Sequence, residues 1–94
     1  INNNEYYEMI SVMSSWLVKK GIKRENTQKY ITSLFLALSK DAMMNSKKNL
    51  NQLVKDSQTP KGLNEQGLKE MKKRGVYKSI IKTLNSINKR LNKK

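Results

Sequence analysis

Tyr77, Ile80, Leu84, Ile87 and Leu91 recur at alternating steps of three and four. No strand can use that spacing, whereas a helix gathers it onto one face. Ile81 widens the stripe. The seam covers about two heptads, too few to stand as an isolated coiled coil, so it must dock on other helices or on a second copy of the chain. The same periodicity recurs upstream. Tyr6, Met9, Ile10, Met13, Trp16 and Leu17 form one stripe, and Tyr30, Ile31, Leu34, Phe35, Leu38, Ala42 and Met43 form another. Leu36 and Ala37 extend the second nearly all round, which predicts that its helix is the most buried.

The breaks between stripes are punctuated as helix ends should be. The first helix is expected from near Asn4 to Lys20, where two lysines precede Gly21. The second runs from near Asn26 to about Met44, and polar "NSKK" leads into a short third helix with Leu50, Leu53 and Val54. That helix must stop before Pro60, because the proline ring disfavours helical geometry at Thr59. Asn64 reads as the N-cap of the fourth helix, with Leu63 stapled to Leu68 and Glu65 favoured in the first turn by the dipole. Gly67 inside that turn costs stability, and a close approach of another backbone would account for it. "KKRG" closes the fourth helix, and the last starts near Val76. With no strand pattern or repeat in competition, the expectation is an all-α, single helical domain of about five helices over residues 1–94.

Composition says how such a domain hides its apolar faces. Only 36% of the 94 residues are hydrophobic and 6% aromatic, low for a domain that buries itself alone. Burial against a twin is the expected remedy, giving an interlocked homodimer. No segment approaches the roughly 20 apolar residues of a membrane span, so no membrane partner is expected. The net charge of +13 comes from 20 Lys+Arg against 7 Asp+Glu. Such a charge attracts polyanions, but only Arg24, Arg74 and Arg90 are arginines, and base readout leans on the guanidinium fork. A solvated lysine surface accounts for the charge ahead of a dedicated nucleic-acid face, so any nucleic-acid binding is expected to be weak and non-specific. A lysine-rich helical nucleic-acid-binding module remains the alternative to the reading below.

Histidine and cysteine are absent, which removes imidazole bases, thiolate nucleophiles, disulfides and most metal sites. No metal is expected. Lack of cysteine is compatible with a reducing compartment, and a cytoplasmic location is the expectation. Glu5 and Glu8 share a face near a helix start, where the dipole explains them. Neither a G-x-G-x-x-G turn nor a Walker loop occurs, so no dinucleotide site is expected and no catalytic residue is assigned. One stretch suits a ligand. In "TPKGLN", Thr59 to Asn64, a kinked segment runs into a helix N-terminus, whose unpaired N–H groups suit a carboxylate or phosphate. Thr59 and Asn64 flank it with side-chain donors and Lys61 adds charge. A tight turn with a capped restart fits the same residues.

The stretch "SQTPKGLNEQGLKEMKKRGVYKSIIKTLNSI" resembles the C-terminal helical dimerisation domain of the pyrroline-5-carboxylate reductase family. A T-S-P-G-G-T-T-like loop there precedes a helix with "LKELE", a glycine and a final amphipathic helix. Upstream, a helix carrying Tyr7 and Trp16, then "KKGI" and a long helix, is compatible in layout. The specific part runs from about Val54 onward. Lys61 stands where the family has the first loop glycine, Leu63–Asn64 replace its threonine pair, and "NNNEYYE" replaces a small-residue entry. The resemblance implies a homodimer, and a parent chain whose Rossmann domain, outside these residues, binds NAD(P)H. It implies a small carboxylate substrate, a cyclic imine such as pyrroline-5-carboxylate on its way to proline or a related compound. Substrate binding then falls on the Thr59 hydroxyl and the loop amides of Gly62, Leu63 and Asn64. These 94 residues would be inactive alone, the parent being an NAD(P)-dependent oxidoreductase.

Overall fold

The computed structural model describes residues 3–59 and 61–93. The expectation placed on Pro60 lies outside them. The fold is all-α. Five helices follow in order, α1 (Asn3–Lys19), α2 (Arg24–Met44), α3 (Leu50–Asp56), α4 (Leu63–Lys73) and α5 (Val76–Leu91).

The chain divides into two compact units, Ile1–Asn49 and Leu50–Lys94. In the first, α1 packs on α2. The reversal is made at Gly21, whose φ of 100° is open to glycine and strained for other residues. Its N–H donates to the Val18 carbonyl (2.9 Å), while that of Ile22 donates to Leu17 (3.3 Å), closing the helix with paired carbonyls. Ile10 of α1 and Ile31 of α2 are buried, and the rings of Tyr6 and Phe35 meet edge to face with centroids 6.0 Å apart. Thr27, fully buried, would be a liability with an unpaired hydroxyl. Its Oγ1 donates to the Arg24 carbonyl at 2.7 Å and removes it.

Helix α2 begins two residues before the expected Asn26. Lys23, extended at φ −61° and ψ 138°, is its N-cap without a side-chain bond, and its carbonyl accepts the N–H groups of Asn26 and Thr27. Backbone geometry just after the Gly21 reversal starts the helix. Helix α2 is the most buried helix, as expected, with two of the three buried residues among those described, Thr27 and Ile31, yet the chain does not enclose it. Leu34 is 45% and Leu36 59% exposed, since α1 covers only one side of the Leu34–Leu38 stretch, which is apolar nearly all round.

In the second unit α4 packs on α5, and the Tyr77 hydroxyl reaches Met71 Sδ at 3.7 Å. The α5 seam expected from its spacing is present, but none of its residues is buried within the chain. Gly75, at φ 78°, makes the corner between the two helices.

The surface area gives these exposed faces a scale. Two separate globules of half the chain's 10.9 kDa would expose about 6,700 Å2 together. The chain exposes 8909 Å2. No helix among the described residues is long and apolar enough to cross a membrane.

Candidate functional site

The loop before α4 is a tight turn, locked from both ends. The Gly62 N–H donates to the Thr59 carbonyl at 2.7 Å. A Cβ on Gly62 would lie 2.8 Å from that carbonyl oxygen and 3.2 Å from Thr59 Cβ. Its own turn therefore requires glycine at 62, with or without a ligand. Lys61 sits at φ 61°, left-handed backbone that costs a non-glycine residue about 1–2 kcal/mol. The Glu65 carboxylate offsets part of this strain. One oxygen accepts the Lys61 N–H at 3.1 Å, and the other holds Lys69 Nζ at 2.8 Å. The hydrogen bond from the Lys69 side chain, then that from the Lys61 N–H, then the Lys69 charge hold the Glu65 carboxyl below its ordinary value.

The N-cap of α4 is Gly62, not Asn64. Asn64 lies one residue inside the helix, and its Nδ2 reaches back to the Ser57 carbonyl at 2.8 Å. The side chain thus ties the helix to the segment before the turn. Leu63 is likewise inside the helix and 85% exposed, so the expected staple to Leu68 does not form. A Cβ on Gly67 would meet nothing within 4 Å, so the close backbone invoked for it is not found among the described residues.

Thr59, Gly62, Leu63 and Asn64 thus lie on one continuous turn and first helical turn. The N–H groups of Leu63, Asn64 and Glu65 have no hydrogen-bond partner among the described residues. Their directions and the helix dipole favour an anion there. Beside them lies a shallow concavity of about 310 Å3 lined by Lys61, Gly62, Glu65, Gln66, Lys69 and Glu70. Its two acids oppose an anion and its two lysines favour one, and Glu65 is already engaged on both oxygens. No group of His, Cys, Asp or Glu that could hold a metal occurs among the described residues.

A larger groove, of about 660 Å3, runs along α1 and α2 past Tyr6, Ile10, Ser14, Arg24, Gln28 and Thr32. Ser14 Oγ is buried there without a hydrogen-bond partner among the described residues. Sequence reasoning passed this groove over, although serines 11, 14 and 15 sit at helical steps of three and four.

The apolar surface is the second functional feature. The excess over two free-standing globules is about 2,200 Å2. An obligate homodimer buries about 1,000–2,500 Å2 on each copy. With Leu34, Leu36, Leu38, Ile81 and Leu91 among the exposed apolar side chains, this all-α chain is of the class built for association. The particular family follows from comparison: the family model described as pyrroline-5-carboxylate reductase dimerisation matches residues 5–94, and the chain belongs to that family. No curated protein and no solved structure matches it.

Proposed function

We propose that the chain supplies the twofold interface and the carboxylate end of the substrate pocket in an NAD(P)H-dependent reductase. The substrate is a cyclic imine carrying a carboxylate, of the pyrroline-5-carboxylate type, or a close relative. Family membership over residues 5–94 supports the reductase and self-association. The observation that carries the pocket is the turn at Thr59–Gly62, after which three successive N–H groups at the start of α4 have no partner among the described residues.

The chemistry divides accordingly. The nicotinamide supplies the hydride when bound, and this chain has neither a G-x-G-x-x-G turn nor a phosphate loop to hold it, so a partner domain does. The role of these residues is orientation. The α4 amides and the Thr59 hydroxyl grip the carboxylate, and the imine carbon is presented at a fixed distance from it. Glu65, its charge balanced by Lys69, holds the turn closed through the Lys61 N–H.

The experiment uses the reductase complete with its dinucleotide half. Thr59→Val removes one hydrogen bond, worth about 1–3 kcal/mol. It should raise the KM for the carboxylate substrate about five- to hundredfold and leave NADPH affinity unchanged. Unaltered substrate kinetics would mean the loop is only a turn. Gly62→Val is a poorer probe, because the clash with the Thr59 carbonyl deforms the loop by itself.

A further inference from the structure

The charge is not spread evenly along the chain. All seven acidic residues fall between Glu5 and Glu70, while the last 24 residues hold nine of the 20 basic ones and no acid. A solvated surface of mixed charges would not separate in this way, and such an asymmetry points to a polyanionic partner. Within that stretch α5 is regular from Val76 to Leu91. At 100° per residue, Lys78, Lys82 and Lys89 fall within about 40° of one another, and they face away from Ile80, Leu84, Ile87 and Leu91. All three are exposed. With no carboxylate anywhere on α5, none can form an ion pair along its own helix. The three span about 16 Å, close to the axial rise of five base pairs.

We propose that this lysine stripe follows the phosphate backbone of a nucleic-acid duplex without reading its bases, while the opposite, apolar face of α5 is taken by a second copy of the chain. Lysines bind phosphates as point charges, and the stripe carries no aromatic side chain on which a base could stack. An anionic membrane is the weaker match. A helix lying on lipid buries its apolar face, which here would compete with dimerisation and turn the lysines away from the headgroups. The second clause of the proposal rests on the dimer reading; the first does not.

The test is fluorescence anisotropy with a mixed-sequence 20-base-pair DNA duplex between 50 and 200 mM salt, alongside sedimentation equilibrium. The triple variant Lys78→Gln/Lys82→Gln/Lys89→Gln should flatten the log K against log salt slope by about 2.7 for each helix engaged. It should also weaken binding at least tenfold at the lowest salt. Lys29→Gln/Lys40→Gln/Lys47→Gln removes the same charge from exposed positions on α2 and just after it, and should keep the wild-type slope. Equal losses in the two triples would assign binding to net charge and overturn the stripe, as would a wild type that does not bind. Displacement of the duplex by anionic phospholipid vesicles, with tighter binding to them, would overturn it in favour of a membrane. Should the stripe triple change its sedimentation mass, Lys82→Glu alone carries the comparison, and wild-type affinity there overturns the proposal. A monomeric wild type that still loses its slope in the stripe triple would refute the dimer reading and leave the stripe standing.

Discussion

Leu84 lies at the centre of the α5 seam and is 42% exposed in the single chain. Full burial of a leucine side chain is worth about 1.5–3 kcal/mol, so covering the remaining part contributes about 0.6–1.3 kcal/mol. In a twofold interface each change is made twice. Leu84→Ala should therefore cost the dimer about 1.3–2.5 kcal/mol, or about ten- to seventyfold in its dissociation constant. Ser86→Ala, on the far side of the same helix, should change it by less than about twofold. The assay is sedimentation equilibrium across the micromolar range, with helicity followed by circular dichroism so that loss of fold is separated from loss of association. A wild type that is monomeric throughout would refute the reasoning. So would a Leu84→Ala protein that dimerises as the wild type does, because the seam would then be exposed for some other reason.

Lys61→Gly should stabilise the protein by about 0.5–1 kcal/mol in urea denaturation, the left-handed strain released less the added freedom of the unfolded chain; Lys61→Ala, which keeps the strain, should change little. Glu65 titrates lower in the folded protein than its ordinary 4.5, so its contribution is full above that pH and is lost as pH falls through the lower folded value. The stability gap between wild type and Glu65→Gln in urea should accordingly be constant near neutrality and close as the solution is taken below about pH 4.5; a gap that widens in acid would contradict the assignment. Gly67→Ala should stabilise the single chain by about 0.5–1 kcal/mol, since the added Cβ meets nothing. If it weakens the dimer instead, read in the same sedimentation assay, the backbone that approaches Gly67 belongs to the second copy.

Helix existence and length were legible in the residues because they depend on local rules. Steps of three and four set the five helices, and Gly21 and Gly75 mark two of their ends because only a left-handed residue closes those turns cheaply. The "TPKGLN" motif was likewise visible as a turn feeding a helix. Which side chain does what inside it was not. Asn64 has the chemistry of a cap, yet Gly62 takes that place and Asn64 binds the Ser57 carbonyl seven residues back, a partner that spacing alone does not single out. Glu65 was readable as a dipole partner, but its simultaneous hold on the Lys61 N–H and on Lys69 depends on Lys61 turning left-handed. Burial shows the same division. Periodicity says which residues share a face, whereas cover depends on what packs there, so Leu34 and Leu36 of α2 are about half exposed in one chain while Thr27 is sealed. Local propensity is a property of the residues themselves; burial belongs to pairs of surfaces, and only the packed helices reveal which surfaces the chain covers itself and which it leaves for a partner.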